Sequence, residues 1–307
     1  MLRSALSRLL QSVLVLLGVA LMVFVMLRII PGNPIAVLMG EHADNAVIER
    51  MTAELGLDQP VIIQFFRYLQ GALRGDFGTS YSLGKSVSSL MASAFPNTLI
   101  LAVLAALFAW ILGIISGIIA AVKKNSILDH LFMGTSLLGV SMPVFMTAML
   151  LQYFLAFRLK LFPIAGTAGL AAFILPAIAL GWNSAGSVAR LVRSTLLEIL
   201  EEDYIDTARA KGRGQMGVLL VHALRNAMLP VITMMAIQLS GLLSGAVITE
   251  TVFSINGIGR LAVQAISGRD IPLLQGTVLF SAAIVILGNY LADSLYNVLD
   301  PRIRRGA

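Results

Sequence analysis

Asn97-Thr98-Leu99-Ile100-Leu101-Ala102-Val103-Leu104-Ala105-Ala106-Leu107-Phe108-Ala109-Trp110-Ile111-Leu112-Gly113-Ile114-Ile115-Ser116-Gly117-Ile118-Ile119-Ala120-Ala121-Val122 carries no charged side chain from end to end. About 20 such residues wound as a helix cross the hydrocarbon core of a bilayer. Lipid offers no partner to an unpaired peptide group, so a spanning segment is a helix or belongs to a closed barrel. Five more apolar runs have a comparable reach: Leu9–Leu27, Leu131–Phe157, Phe173–Val192, Leu229–Ile248 and Leu273–Val298. Barrel strands would alternate apolar and polar residues over about ten positions, and none of these runs does. The pattern predicts an all-α integral membrane protein with six transmembrane helices and both termini on one side.

Composition agrees. Of the 307 residues 58% are hydrophobic and 12% charged, with a mean hydropathy of +0.88. A soluble domain has about 25% charged residues, so most of this chain's outer surface must face lipid. The net charge of +6 and pI near 9.9 would suit nucleic acid, but the basic residues are spread over the connections instead of gathered in one patch, and no nucleic-acid partner is expected. There are no cysteines, which excludes disulfides and thiol chemistry. The apolar run after Arg3 and Arg8 is longer than a signal-peptide core and lacks a small-residue cleavage site. It reads as a retained first transmembrane helix that ends at Pro31-Gly32-Asn33-Pro34.

Lys and Arg in short connections mark the cytoplasmic side. With the termini inside, that side carries Arg3, Arg8, Lys123, Lys124, Arg190, Arg193, Arg209, Lys211, Arg213, Arg225, Arg302, Arg304 and Arg305; the short outer connections carry Arg158, Lys160, Arg260 and Arg269. Thirteen against four places the termini and the charged segment on the cytoplasmic side. The chain then divides into residues 1–30 (N-terminus and first helix), 31–96 (an extracytoplasmic helical loop) and 97–307 (a five-helix core). In the loop, Asn45–Leu55 and Val61–Leu73 read as amphipathic helices, with Asp58 as an N-cap and Ile62, Phe65, Phe66 and Leu69 at helical spacing. The plainer reading of this loop is a small cap resting on the bundle.

No enzyme motif is present. His42, His130 and His222 stand apart without metal-ligand spacing, and no phosphate loop of the form G-x-x-x-x-G-K-[ST] occurs. Gly257-Ile258-Gly259 follows a transmembrane run, not a strand, and reads as a turn before the sixth helix.

The charged segment Glu201-Glu202-Asp203-Tyr204-Ile205-Asp206-Thr207-Ala208-Arg209-Ala210-Lys211-Gly212 interrupts this apolar pattern between residues 194 and 228. Acids precede bases from Glu198 to Arg213, the order a helix macrodipole favours. Asp206 and Arg209 lie at i,i+3, Ile205 and Ala208 share another side, and Gly212 can take the positive φ that ends a helix. A short helix with small residues at Ala208 and Ala210 can seat in a groove of a soluble partner; an ordinary solvated loop is the plainer alternative.

Asp206-Thr207-Ala208, three residues, Gly212, nine residues, His222, one residue and Leu224 resembles the "EAA" loop of bacterial ABC importer permeases, E-A-A, x3, G, x9, I-x-L-P. The last alanine, the glycine and the leucine are in register, while Asp206, Thr207, His222 and Arg225 depart from it. Asp203-Tyr204-x-x-Thr207-Ala208-Arg209-Ala210-Lys211-Gly212 and His222-Ala223-Leu224-Arg225-Asn226-Ala227 are similar to the dipeptide/oligopeptide/nickel subfamily. So are Leu27–Pro34, Leu55–Pro60, Arg74–Gly78, Glu250–Phe253, Gly257–Leu261 and Leu299–Arg304, in the pattern of the first of two paired permeases.

That resemblance implies a second homologous permease, two cytoplasmic ATPase subunits that hold the ATP and Mg, an extracytoplasmic substrate-binding protein and the lipid bilayer as partners. It implies no cofactor on this chain and no catalysis by it. Glu202–Gly212 becomes a coupling helix, with His222, Leu224, Arg225 and Asn226 beside it, and the cargo a short peptide; nickel, a metal–chelator complex or glutathione is the alternative within the same machine. Polar positions in the helices that could line a path are Asn183, Ser184, Ser187, Thr233, Gln238, Ser240, Ser244, Asn289 and Asp293, although such groups also glue helices together. A stand-alone secondary transporter would need carboxylates in mid-membrane, and Glu198, Glu250 and Asp293 lie toward helix ends. Arg190 and Arg193 read as snorkelling at the inner interface.

Overall fold

The computed structural model describes residues 2–29, 50, 52–53, 56 and 58–299. Its helices are α1 (Leu2–Ile29), α2 (Val61–Leu73), α3 (Val87–Val122), α4 (Ile127–Ser141), α5 (Val144–Leu151, continued by a π-helical turn Gln152–Arg158), α6 (Ala171–Leu200), α7 (Asp203–Ala210), α8 (Leu224–Val252), α9 (Ile258–Ser267) and α10 (Ile271–Leu299). Among the described residues, strand-like pairing is limited to one isolated bridge between Thr79 and Ser86. The amphipathic helix expected over Asn45–Leu55 lies largely outside the described residues, as does the stretch after Leu299.

Five of these helices are long and apolar enough to cross a bilayer, and a sixth span results when α4 and α5 are taken together. That pair corrects the expected unbroken helix over Leu131–Phe157. Its two arms are bent by 110°, because Pro143 has no N–H to continue the ladder and forces the preceding residue out of helical geometry. Met142 accordingly sits at φ −80°, ψ 133°. Pro96, by contrast, lies inside α3, which begins at Val87 and not at Asn97.

The chain forms two compact units, Met1–Thr98 with Asn256–Ile286, and Leu99–Ile255 with Leu287–Ala307. In the first, Val87, Met91 and Ala94 bury against Ile258, Leu261, Ala265 and Leu273. The expected turn at Gly257-Ile258-Gly259 is the start of helix α9, with Gly257 at its N-cap and the N–H of Ile258 donating to Thr98 Oγ1 at 2.9 Å. Pro60, not Asp58, stands at the N-cap of α2. That helix meets α1 through Phe65 and Tyr68, whose rings lie 5.1 and 6.1 Å from Phe24, and leaves Ile62 and Phe66 exposed.

Asp270, fully buried ahead of α10, organises the loop 78–87 in this unit. Its Oδ2 accepts from Ser80 Oγ at 2.6 Å, Ser82 Oγ at 2.7 Å and the N–H of Ser82 at 3.0 Å; its Oδ1 accepts from the N–H of Leu273 at 3.2 Å. Burial alone would raise the carboxyl's pKa, but these donors outweigh it and hold it below the ordinary range.

In the second unit α6 is the element around which the others pack. Ala177, Gly181, Ala185, Val188, Val192 and Leu196 form a buried stripe along it, the spacing of one helix face. Glycines let its neighbours approach. A Cβ at Gly117 of α3 would stand 2.6 Å from the Ala189 carbonyl oxygen and 2.7 Å from Val192 Cβ, and one at Gly186 would strike the Ser136 carbonyl of α4. The opposite side of α3, at Leu107, Ile111 and Ile115, is exposed, as a lipid-facing side should be.

Gly117→Leu should therefore force α3 and α6 apart and cost about 1–3 kcal/mol, read as a lower thermal unfolding midpoint in detergent; an unchanged midpoint would contradict the close contact. Asp270 has a lowered folded pKa, so the stability it lends is complete above the unfolded carboxylate value near ~4 and is lost as pH falls through the lower folded value. Asp270→Ala should expose the 78–87 loop to protease at neutral pH, losing about 1–3 kcal/mol for the buried donors left unpaired.

Candidate functional site at the charged loop

The charged segment is built in three pieces. Helix α6 runs on to Leu200, so Glu198 belongs to it and not to the charged helix, and the chain breaks at Glu201-Glu202, where Glu202 is extended at φ −79°, ψ 143°. Helix α7 follows with Asp203 and Asp206 in its first turn and Arg209 in its last, a distribution that suits its dipole. Gly212 then turns the chain at φ +79°, and its N–H donates to the Arg209 carbonyl at 3.0 Å. One helical turn, Gln215–Gly217, and a π-helical turn, Val218–Ala223, lead into α8.

Helix α7 has two sides of opposite character. Ile205 is completely buried and Ala208 nearly so, packed with Leu196 of α6, Ala121 of α3, and Val218, Leu219, Ala223 and Ala227 of the return. Burying the isoleucine is worth about 1.5–3 kcal/mol, which seats the helix on its own chain. Asp203, Asp206, Thr207, Arg209, Ala210 and Lys211 are exposed. Arg209 donates to Asp206 Oδ1 at 2.8 Å, as the i,i+3 spacing predicts, and Thr207 Oγ1 donates to its own helix at Asp203 O, 3.1 Å. Tyr204 is 41% exposed, and its hydroxyl accepts from Asn226 Nδ2 at 2.9 Å.

This arrangement brings Tyr204 together with Asn226 across the return, and places His222 and Leu224, both half-buried, on the turn that α7 rests against, with Arg225 exposed beside them. It separates the two alanines expected to form one small-residue face. Ala208 points into the chain's own cluster and Ala210 outward, because two residues along a helix turn about 200° around its axis.

The polar positions within the helices are largely used in packing. Asn183 Nδ2 donates to Val140 O at 3.2 Å, tying α6 to α4, and Ser187 Oγ donates back to Asn183 O at 3.2 Å. Gln238 Nε2 donates to Ser184 O at 3.3 Å, tying α8 to α6, while its buried Oε1 has no partner among the described residues. Asn289 is exposed, and the side chains of Ser244 and Asp293 lie outside the described residues. A groove of about 260 Å³ between α3, α4 and α6, lined by Phe108, Leu112, Phe132, Ile178 and Trp182 with Ser116, Thr135 and Ser136, is predominantly apolar.

An ion pair between a buried carboxylate and a half-buried guanidinium went unread in the sequence. Asp129 Oδ1 accepts from Arg193 Nε and Oδ2 from an Arg193 Nη, both at 2.7 Å, with side-chain exposures of 4% and 27%. Arg193 is thus held by a bidentate carboxylate. One signal for it was available: Ser126-Ile127-Leu128-Asp129 has the Ser-x-x-acid pattern of a helix start, and Ser126 Oγ does accept from the N–H of Asp129.

Residues 113–305 match the family model described as binding-protein-dependent transport system inner membrane component, and residues 1–102 match its N-terminal counterpart. The chain belongs to that family. Over 99% of both chains this permease is 39% identical to the dipeptide transport system permease protein DppB of Escherichia coli K12. It is 41% identical, again over 99% of both, to the glutathione transport system permease protein GsiC of Salmonella paratyphi A. A chain of the inward-facing MetNI methionine ABC transporter shares its fold, with a TM-score of 0.60 at 19% identity over 69% of this chain and 96% of that one.

Ala208→Trp is expected to unseat α7 and lower the permease's own stability by about 1–3 kcal/mol, whereas Ala210→Trp should stay within about 0.5 kcal/mol of wild type. Thermal unfolding of the two variants in detergent compares them directly, and equal shifts would mean that both alanines face the same way.

Proposed function

We propose that this permease is one membrane-spanning subunit of an ATP-driven importer of short peptides, and that α7 is the coupling helix on which a cytoplasmic ATPase subunit docks. The observation that carries the reading is the two-sided character of α7. Its apolar side is seated on the ends of α3, α6 and the return, while Asp203, Asp206, Thr207, Arg209, Ala210, Lys211 and Gly212 stay open to a partner. A helix anchored at its back and charged at its front can pass a push from a soluble protein to the spans it rests on.

In this reading a second homologous permease completes the path and two ATPase subunits bind ATP and Mg. An extracytoplasmic binding protein delivers the cargo. Closure of the ATPase pair on ATP displaces α7 and re-opens the bundle toward the binding protein; hydrolysis resets it. The thirteen-to-four bias of Lys and Arg supports cytoplasmic termini and a cytoplasmic α7. Of the expected path residues, Gln238, whose Oε1 has no partner among the described residues, and the exposed Asn289 best suit contact with a passing solute; Asn183 and Ser187 act in helix packing. Short peptides are the preferred cargo because DppB carries a dipeptide name, and glutathione, itself a tripeptide, is a second reading supported by the likeness to GsiC.

Co-expression with the partner subunits and reconstitution into proteoliposomes tests this. ATP-dependent uptake of alanyl-alanine is expected, with glutathione as the competing substrate; uptake of neither, in vesicles that hydrolyse ATP, would exclude the peptide reading. Ala210→Trp should reduce ATPase co-purification by roughly tenfold or more, as large obstructions at an interface core do. Gly212→Pro should do the same, because proline cannot reach the positive φ there. Retained docking in both variants would remove α7 from the ATPase interface. Because the chain lacks cysteine, Arg213→Cys gives a clean topology probe, and labelling from the inner face only is expected.

A further inference from the structure

The turn between α3 and α4 is fastened to the last turns of α6. Asp129 holds Arg193 of α6 through two charge-assisted bonds of 2.7 Å, and its Oδ2 also accepts from the N–H of Asn125 at 2.9 Å. Asn125 itself takes a left-handed φ of 63°, so the carboxylate pins an unusual turn as well as a neighbouring helix. Just past the end of α6, Lys124 Nζ stands 3.3 Å from Oε1 of Glu201, its C-cap. Arg193 and Glu201 are separated by about 12 Å of helical rise, so the turn lies alongside the whole end of α6 that leads into α7. Ala121, just before the turn, belongs to the cluster that buries Ile205 and Ala208.

These contacts differ in strength, and the difference locates the fastening. Lys124 and Glu201 are half or more exposed, and such a pair holds little free energy; here it marks proximity. The Asp129 carboxylate is buried, so opening its pair would leave an uncompensated charge. Its two parallel bonds fix distance and angle together. The break between α6 and α7 lies at the extended residue Glu202 and is spanned by Ile205 and Ala208, which pack on Leu196 of α6 and Ala121 of α3; the Asp129–Arg193 pair fastens α4 to that same end of α6.

We infer that Asp129 and Arg193 are positioning residues which bind the 123–126 turn, the end of α6 and α7 into one rigid block, so that displacement of α7 moves α3, α4 and α6 together. This rests on α7 being the docking helix. A buried hydrophobic pair of equal volume would stabilise the bundle as well as this ion pair does, but it would not fix the register of the turn against α6.

The test uses the assembled transporter in proteoliposomes, with alanyl-alanine as cargo. In Lys124→Cys/Glu201→Cys, a short bismaleimide bridge should leave uptake within about twofold of the unbridged protein, since a rigid block keeps its internal distances through the cycle. A bridge that stops uptake overturns the inference. Asp129→Asn and Arg193→Gln should keep the ATPase bound and hydrolysing while uptake per ATP falls roughly tenfold, within the reach of residues along a coupling network. The exchanged pair Asp129→Arg/Arg193→Asp should recover part of that loss. An unchanged ratio of uptake to hydrolysis in both single variants also overturns it. ATPase co-purification with the wild-type chain, measured in the same preparations, judges the docking reading separately: its failure removes that reading, whereas intact docking with unaltered coupling removes only the rigid block.

Discussion

The second unit depends on how closely α6 can approach its neighbours. In a bilayer the hydrophobic effect does little to bring helices together, since a lipid tail is as apolar as a leucine. Association then rests on close van der Waals contact, and that requires small residues at the crossing points. Gly117 against Ala189 and Val192, and Gly186 against the Ser136 carbonyl, provide this. Leu107, Ile111 and Ile115 of α3 are turned outward, while Val188, Val192 and Leu196 of α6 fill the space that the glycines leave.

Close packing of α3, α4 and α6 also places the charged loop. The ends of α3 and α6 supply Ala121 and Leu196, on which Ile205 and Ala208 rest, and the same approach brings Asp129 within bidentate reach of Arg193. Helix α7 is too short to be stable alone, because isolated helices below about 12–15 residues are marginal in water. Its order comes from the permease beneath it. In the docking role proposed for it, α7 is held in position before any partner arrives, and little of the binding free energy would be lost in ordering it.

Much of this was legible along the chain. Uninterrupted apolar runs marked the spans, the Asp206–Arg209 spacing marked their ion pair, and Gly212 marked the end of α7. The misreadings have specific causes. Pro143 lies within a continuous apolar run, and hydropathy does not register a missing N–H, so α4 and α5 were merged. Pro96 was given the opposite weight and read as a boundary although a helix carries it. Ala208 and Ala210 are chemically identical, and composition alone could not assign one to the core and the other to solvent.

By itself, then, the sequence determined that the chain is helical, that it lives in a membrane, that it carries a charged helix with a defined end, and which transport family it resembles. The first three follow from solvation of the peptide group and from local spacing, both of which act within a few residues; the resemblance rests on the quoted motifs being in register. Tertiary structure decided the rest: the inward seat of Ala208, and the union of Asp129 with Arg193, 64 positions away. Each depends on which backbone comes within a few ångströms of which other. That distance is set by glycine and alanine on facing helices, whose small side chains are individually silent in a hydropathy profile and become informative only when the facing helix is known.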